Sequence, residues 1–108
     1  HQFVKIGKYS MIGGMSGVEK NILPYCLYIG IRTGIKGLNL IGLKRKKVSN
    51  ADIKMISSCL KYLLNKESSI EEKINKLEKK YLEINEIKEI IEFIKNSNKR
   101  GISSLNNE

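Results

Sequence analysis

The residues able to do chemistry are few and scattered. His1 is the single histidine, and Cys26 and Cys59 are lone cysteines without CxxC spacing. No metal site can be assembled from such a set, and free thiols fit a reducing cytoplasm. The densest charge is the run Lys44, Arg45, Lys46 and Lys47. Such a run is either a solvated corner ahead of a helix or a site for phosphate or an acidic partner. It lacks the interleaved aromatics and the groove-reading motif that a nucleic-acid surface needs.

The formal net charge is +9, yet arginine occurs only at 32, 45 and 100. Abundant Lys, Ile and Asn together resemble the coding drift of an AT-rich genome, so the charge by itself names no partner. No apolar run approaches the ~20 residues that span a bilayer. The N-terminus does not read as a signal peptide.

These residues must be positioned by the stretch IGKYSMIGGMSGV, where Ile6, Ile12 and Val18 stand six apart. Gly7 and Gly13 follow the first two of them, and Ser10 and Ser16 stand four places after them. That period suits neither a 3.6-residue helix nor a two-residue strand alternation. It suits a chain turning a corner every six residues and sending one aliphatic side chain inward per side, as in a parallel β-helix. Glycine is expected at the corners, where φ is positive. The alternative is two short strands around a Gly-Gly turn. Pro24, lacking an N–H, is expected to break the ladder. Residues 25–31 read as a last extended segment, and Gly30, Gly34 and Gly37 read as a loop. A β-helix needs about three coils to bury a core, and barely one is present. The chain therefore looks like the C-terminal portion of a longer protein.

Composition changes at Ser49. Ser49 with Asp52 has capping-box spacing, and Ile53, Ile56, Leu60 and Leu63 form one face of a helix over residues 50–65. Ser69 with Glu72 repeats the box ahead of Ile74, Leu77 and Tyr81, a second helix ending near Leu82. Asn85 is the expected cap of a third, striped by Ile87, Ile90, Ile91 and Ile94. Gly101 suits a left-handed stop, and residues 102–108 read as a flexible tail. Three short helices are marginal alone, so they need the β-helix or a neighbouring subunit to dock on. A free three-helix bundle behind a disordered N-terminal segment is the alternative.

HQFVKIG at 1–7, MIGGMSGV at 11–18, PY at 24–25, NLIGLKR at 39–45 and FIKNSNKRG at 93–101 occur in that order. With them the chain resembles the acyl-carrier-protein–UDP-N-acetylglucosamine O-acyltransferases, which begin lipid A synthesis. The resemblance implies a β plus α fold. Its parts are the last coil of a left-handed parallel β-helix (1–29), a connecting loop with the basic run (30–47), a three-helix C-terminal domain (48–101) and the tail (102–108). The left hand comes from the resemblance alone, since parallel crossovers ordinarily run right-handed. It further implies a cytoplasmic homotrimer whose partners are acyl carrier protein and UDP-N-acetylglucosamine, with no cofactor, nucleic acid or transmembrane segment.

The family's catalytic His belongs to a coil upstream of His1, so this stretch alone is expected to be inactive. His1 and Gln2 match a pair lining the substrate cleft, and Met11 and Gly14 match positions along the acyl groove. Asn39, Arg45 and Lys46 match residues that hold the nucleotide, with Lys46 standing where a second Arg is frequent. Ile41 stands where an acidic residue is common, and Arg32 where a His is common. The rival readings are a related hexapeptide acyltransferase of the same pathway and a non-catalytic trimerisation module.

Overall fold

The structure, a computed structural model, describes residues 1–80, 83–97 and 101–105. Tyr81 and Leu82, expected at the end of the second helix, lie outside the described residues. So do Asn98, Lys99 and Arg100 of the closing motif and positions 106–108 of the expected tail. The element order is β1 (Met11–Ile12), β2 (Cys26–Tyr28), β3 (Ile35–Leu38), α1 (Leu40–Arg45), α2 (Asn50–Leu64), α3 (Ile70–Lys80) and α4 (Asn85–Lys95).

The N-terminal third is stacked in parallel layers. Met11 pairs with Leu27 and Ile12 with Tyr28, while the isolated bridges Ile6 to Ile22 and Gly17 to Ile31 run the same way. The corners carry the six-residue period: Phe3, Tyr9 and Met15 have φ of 66°, 56° and 56°. Tyr25 and Arg32, at 67° and 57°, turn the next layer. Non-glycine residues occupy the left-handed conformation here, which is uncommon, and this corrects the expectation of corner glycines. Gly7 and Gly13 serve closeness instead. A Cβ on Gly7 would lie 2.4 Å from the Pro24 nitrogen, and one on Gly13 would lie 2.9 Å from Ile29 Cγ1.

Pro24 does not end the ladder. Ile22 N–H donates to Lys5 O (3.0 Å), Gly7 N–H to Ile22 O (2.8 Å), and Tyr25 N–H, just past the proline, to Lys8 O (3.0 Å). The proline occupies a position between bonds, where no donor is asked of it. Residues 30–37 are not wholly a loop either. β3 turns back and pairs antiparallel with β2, Cys26 facing Leu38 and Leu27 facing Gly37. Ile12 and Val18 pack against the core as expected. Ile6 stays 51% exposed, because among the described residues its only layer is that of Ile22.

Among the described residues four helices follow rather than three, since part of the segment read as a connecting loop winds into α1. α2 starts as expected, Ser49 Oγ accepting from the Asp52 N–H at 3.1 Å. α3 does the same through Ser69 and Glu72 at 3.3 Å. α4 differs: its N-cap is Ile84, with no side-chain cap bond, and Asn85 is already helical. Lys73 is buried and ties α3 to the end of α2, its ammonium donating to the carbonyls of Leu63 and Asn65. Those carbonyls are ones a helix leaves unpaired at its C-terminus. Gly101 does have φ of +77°, but α4 ends earlier, at the cap Asn96. The glycine redirects the chain back to the coil. Asn21 N–H donates to Gly101 O and Ser103 N–H to Asn21 O, both at 2.8 Å, and Ile35 N–H donates to Ser104 O at 2.7 Å. Residues 102–105 are thus a docked edge, which corrects that part of the expected tail.

Coil and helices share one hydrophobic core, running from Ile22, Leu23 and Tyr25 through Leu43 to Ile87, Ile90 and Ile94. The helices dock on the β layers, one of the two surfaces expected for them. No helix among the described residues is long and apolar enough to cross a membrane.

Candidate functional site

α1 is the element that carries the basic run, and its six residues are too few to hold themselves in helical form. Asn39 supplies the missing support. Its Oδ1 accepts from the Gly42 N–H at 3.1 Å, its Nδ2 donates to Tyr9 O at 2.9 Å, and its own N–H donates to Tyr25 O at 2.7 Å. A Cβ on Gly42 would lie 2.5 Å from Asn39 Nδ2. The Asn and Gly of NLIG therefore form one structural pair. Asn39 is buried, and these bonds give it a structural task in holding the start of α1 to the coil.

Lys46 follows α1 and points its ammonium back into the molecule. It donates to Glu86 Oε2 at 2.6 Å and to Tyr25 Oη at 3.0 Å, with Glu89 Oε1 at 3.7 Å. Tyr25 in turn donates to Glu89 Oε1 at 2.8 Å, and Lys8 is ion-paired with Glu89. The rings of Tyr9 and Tyr25 stack at 5.5 Å and 7°. The Lys46 ammonium stands 5.5 and 5.1 Å from their centroids, within cation–π range.

Burial works against the Lys46 charge, but the Glu86 and Tyr25 hydrogen bonds and charges outweigh it and raise its pKa. Burial likewise raises Glu86, and is outweighed by the Lys46 bond, its own backbone bond and the charges of Lys46 and Lys8, so its pKa is lowered. Arg45, in the last turn of α1, is exposed, as are Lys44, Lys46 and Lys47; of these, Lys46 turns its ammonium to Glu86. Leu40 and Ile41 are exposed beside Arg45, and Ile41 can accept no hydrogen bond from a hydroxyl.

The other expected residues lie on the coil. Met11 is 41% exposed, and Gly14 is exposed, with nothing within 4 Å of a Cβ built there. A corner conformation is not what Gly14 supplies, because the positive φ belongs to Met15. His1 and Gln2 are both exposed. His1 Nε2 lies 3.6 Å from Glu19 Oε1, which also accepts from Arg32 Nε at 3.3 Å. The structure therefore gathers the expected residues into two groups, His1 with Arg32 and Asn39 with Arg45 and Lys46. Both cysteines are buried. Burial pushes the Cys26 thiol up to about 12 and also raises Cys59, partly offset by the Lys80 charge.

Tyr9, Tyr25, Glu86 and Glu89 carry the contacts around Lys46 and were not singled out from the sequence. One signal was available. Tyr9 and Tyr25 are sixteen apart, the same offset that pairs Met11 with Leu27 and Ile12 with Tyr28.

Parallel layers with six-residue sides, closed by a helical unit, define a protein of the hexapeptide-coil class. A family described as UDP N-acetylglucosamine O-acyltransferase, domain 2, matches residues 21–103. The chain belongs to that family. The acyl-[acyl-carrier-protein]–UDP-N-acetylglucosamine O-acyltransferase of Nautilia profundicola is 39% identical over 106 residues, covering 94% of this chain and 39% of the relative. The UDP-N-acetylglucosamine O-acyltransferase structure from Moraxella catarrhalis superposes with a TM-score of 0.85 at 32% identity, covering 95% of this chain and 40% of that one. The UDP-N-acetylglucosamine acyltransferase from Campylobacter jejuni gives 0.78 at 34%, covering 96% and 40%. The chain thus spans about two fifths of the length of the relatives it matches.

Proposed function

We propose that the complete protein containing this chain moves a 3-hydroxyacyl group from acyl carrier protein to the 3-hydroxyl of UDP-N-acetylglucosamine, the opening step of lipid A synthesis. The observation that carries this reading is the family match over residues 21–103. In the reaction the sugar oxygen attacks the thioester carbon, the C–O ester bond forms, and the C–S bond breaks. The carrier's thiolate leaves and takes up a proton. A His in a coil upstream of His1 acts as general base on the sugar hydroxyl, and a backbone N–H holds the oxyanion.

The residues of this chain bind and orient. Arg45, exposed at the end of α1, takes a phosphate of the nucleotide through charge-assisted hydrogen bonds. Asn39 acts on the nucleotide by holding α1. His1 and Gln2 line the cleft. Met11 and Gly14 flank the acyl groove, and the open space above Gly14 leaves room for the tail. The protein works as a homotrimer of left-handed β-helices in the cytoplasm, with clefts between neighbouring coils and a positive rim that steers the acidic carrier protein. Steady-state kinetics of Arg45→Ala test the nucleotide role. A KM for the UDP-sugar raised roughly tenfold or more is expected, and an unchanged KM removes Arg45 from the site. Gly14→Met is expected to shorten the preferred acyl chain, and an unaltered preference removes the groove assignment.

A further inference from the structure

The resemblance makes Lys46 a nucleotide ligand beside Arg45, but its geometry argues for a different task. Asn39 fixes the start of α1 to the backbone of Tyr9 and Tyr25. The far end is fixed by Lys46, whose ammonium meets the carboxylate of Glu86 at 2.6 Å and the Tyr25 hydroxyl at 3.0 Å. Glu86 belongs to the first turn of α4, and its side chain is only 11% exposed. To reach a phosphate, Lys46 would have to abandon a largely buried carboxylate, leaving it only its own backbone bond and the charge of Lys8, which is unfavourable. Arg45, one residue earlier, is exposed, with Lys44 and Lys47 exposed on either side of the pair, and it is the one of the three that can grip a phosphate with a bidentate fork.

We propose that Lys46 and Glu86 are positioning residues for the nucleotide site: together they form a strut from α4 to the corner tyrosines that sets the direction of Arg45. The strut gives the helical unit a second duty besides completing the core. α4 then governs how tightly the sugar nucleotide is held, although it supplies no group to it. This rests on the nucleotide role proposed above for α1.

The test is calorimetric titration of UDP into the complete protein, as wild type, Glu86→Gln, Lys46→Met and the double variant. The strut predicts that each single variant weakens UDP binding roughly tenfold and that the double variant is no weaker than either, since each removes the same pair. Lys46→Arg, which can keep the pair, is expected to bind within about threefold of wild type. In steady-state assays Glu86→Gln should raise KM for the UDP-sugar and leave kcat near wild type. A purely structural loss would lower both the melting temperature and the active fraction without that split.

If Lys46 instead holds phosphate, Glu86→Gln frees it and UDP binding stays equal or tightens, while Lys46→Met alone weakens it. That pattern overturns the strut. Wild type failing to bind UDP overturns both the strut and the nucleotide reading beneath it. Wild-type binding retained in full by Glu86→Gln overturns the strut alone.

Discussion

The coil and the helical unit share a core but differ in what they leave outside it. In α4 the stripe of Ile87, Ile90, Ile91 and Ile94 is wholly buried, as an amphipathic helix over a core requires. In the coil Met15 is 97% exposed and Ile31 67% exposed, with Ile29 at 42%. The α4 stripe is closed against water; the coil sends Ile22, Leu23 and Tyr25 into the same core but also keeps apolar side chains on its outer surface. The coil is therefore held by close approach of backbone layers as well as by its share of the core, and the helices by side-chain volume. Different substitutions should break each.

The largest effect is expected where layers touch. Gly7→Val puts side-chain atoms where a Cβ alone would sit 2.4 Å from the Pro24 backbone, and should cost about 4 kcal/mol or more. Gly14→Ala meets no atom within 4 Å and should stay within about 0.5 kcal/mol of wild type. Denaturant titration of both variants checks the pair, and equal losses would refute stacking as the reason for Gly7. Ile90→Ala, in the fully buried stripe, should cost about 3 kcal/mol by leaving a cavity. A loss under about 1 kcal/mol would mean that α4 is not packed as described.

Asn39→Ala sits between the two regimes. It removes the α1 cap and strands the Tyr9 carbonyl, for about 1–2 kcal/mol. It should also weaken UDP binding, because α1 loses its anchor on the coil.

The smallest effect, Glu86→Gln, is distinguished by its pH dependence. Glu86 is held below its ordinary 4.5, so its contribution is present above that value and lost as pH falls through the lowered one. Lys46 is held above its ordinary 10.5, so its contribution is full below that value and lost as pH rises through the raised one. Across neutral pH the pair's contribution is flat. Glu86→Gln should therefore be less stable than wild type by about 1 kcal/mol at neutral pH, with the gap closing as pH falls below 4.5 and through the lowered value. A gap that persists in acid would assign the loss to packing.

The same contrast explains what was legible beforehand. The helix stripes follow a 3.6-residue period and local caps such as Ser49, so α2 and α3 could be read from neighbours in sequence. The layer period was equally readable, but the identity of the corner residues was not. A left-handed Tyr9 or Met15 is set by the bonding of its flanking segments to the next layer, as Lys8 to Tyr25 and Gly17 to Gly30 show. α1 escaped because Gly42 interrupts a six-residue segment, and Gly42 is there to admit Asn39. β3 escaped because Gly34 and Gly37 look like a loop. It becomes a strand by pairing with β2, a contact between segments that local sequence does not announce. The Lys46 network joins residues 9, 25, 46, 86 and 89, and the basic run alone gave no sign that one of its cations faces inward. The family resemblance supplied the expected site residues, and the structure adds contacts the resemblance did not carry: Asn39 caps α1 and Lys46 pairs with Glu86.

The most direct measurement is mass spectrometry of the products formed when the complete protein is given 3-hydroxyacyl carrier protein and UDP-N-acetylglucosamine. The expected result is a UDP-sugar heavier by one 3-hydroxyacyl group, attached at the 3-oxygen, with free carrier thiol in equal amount. An unmodified sugar nucleotide and an intact thioester, from protein that is folded and binds both substrates, would contradict the assignment.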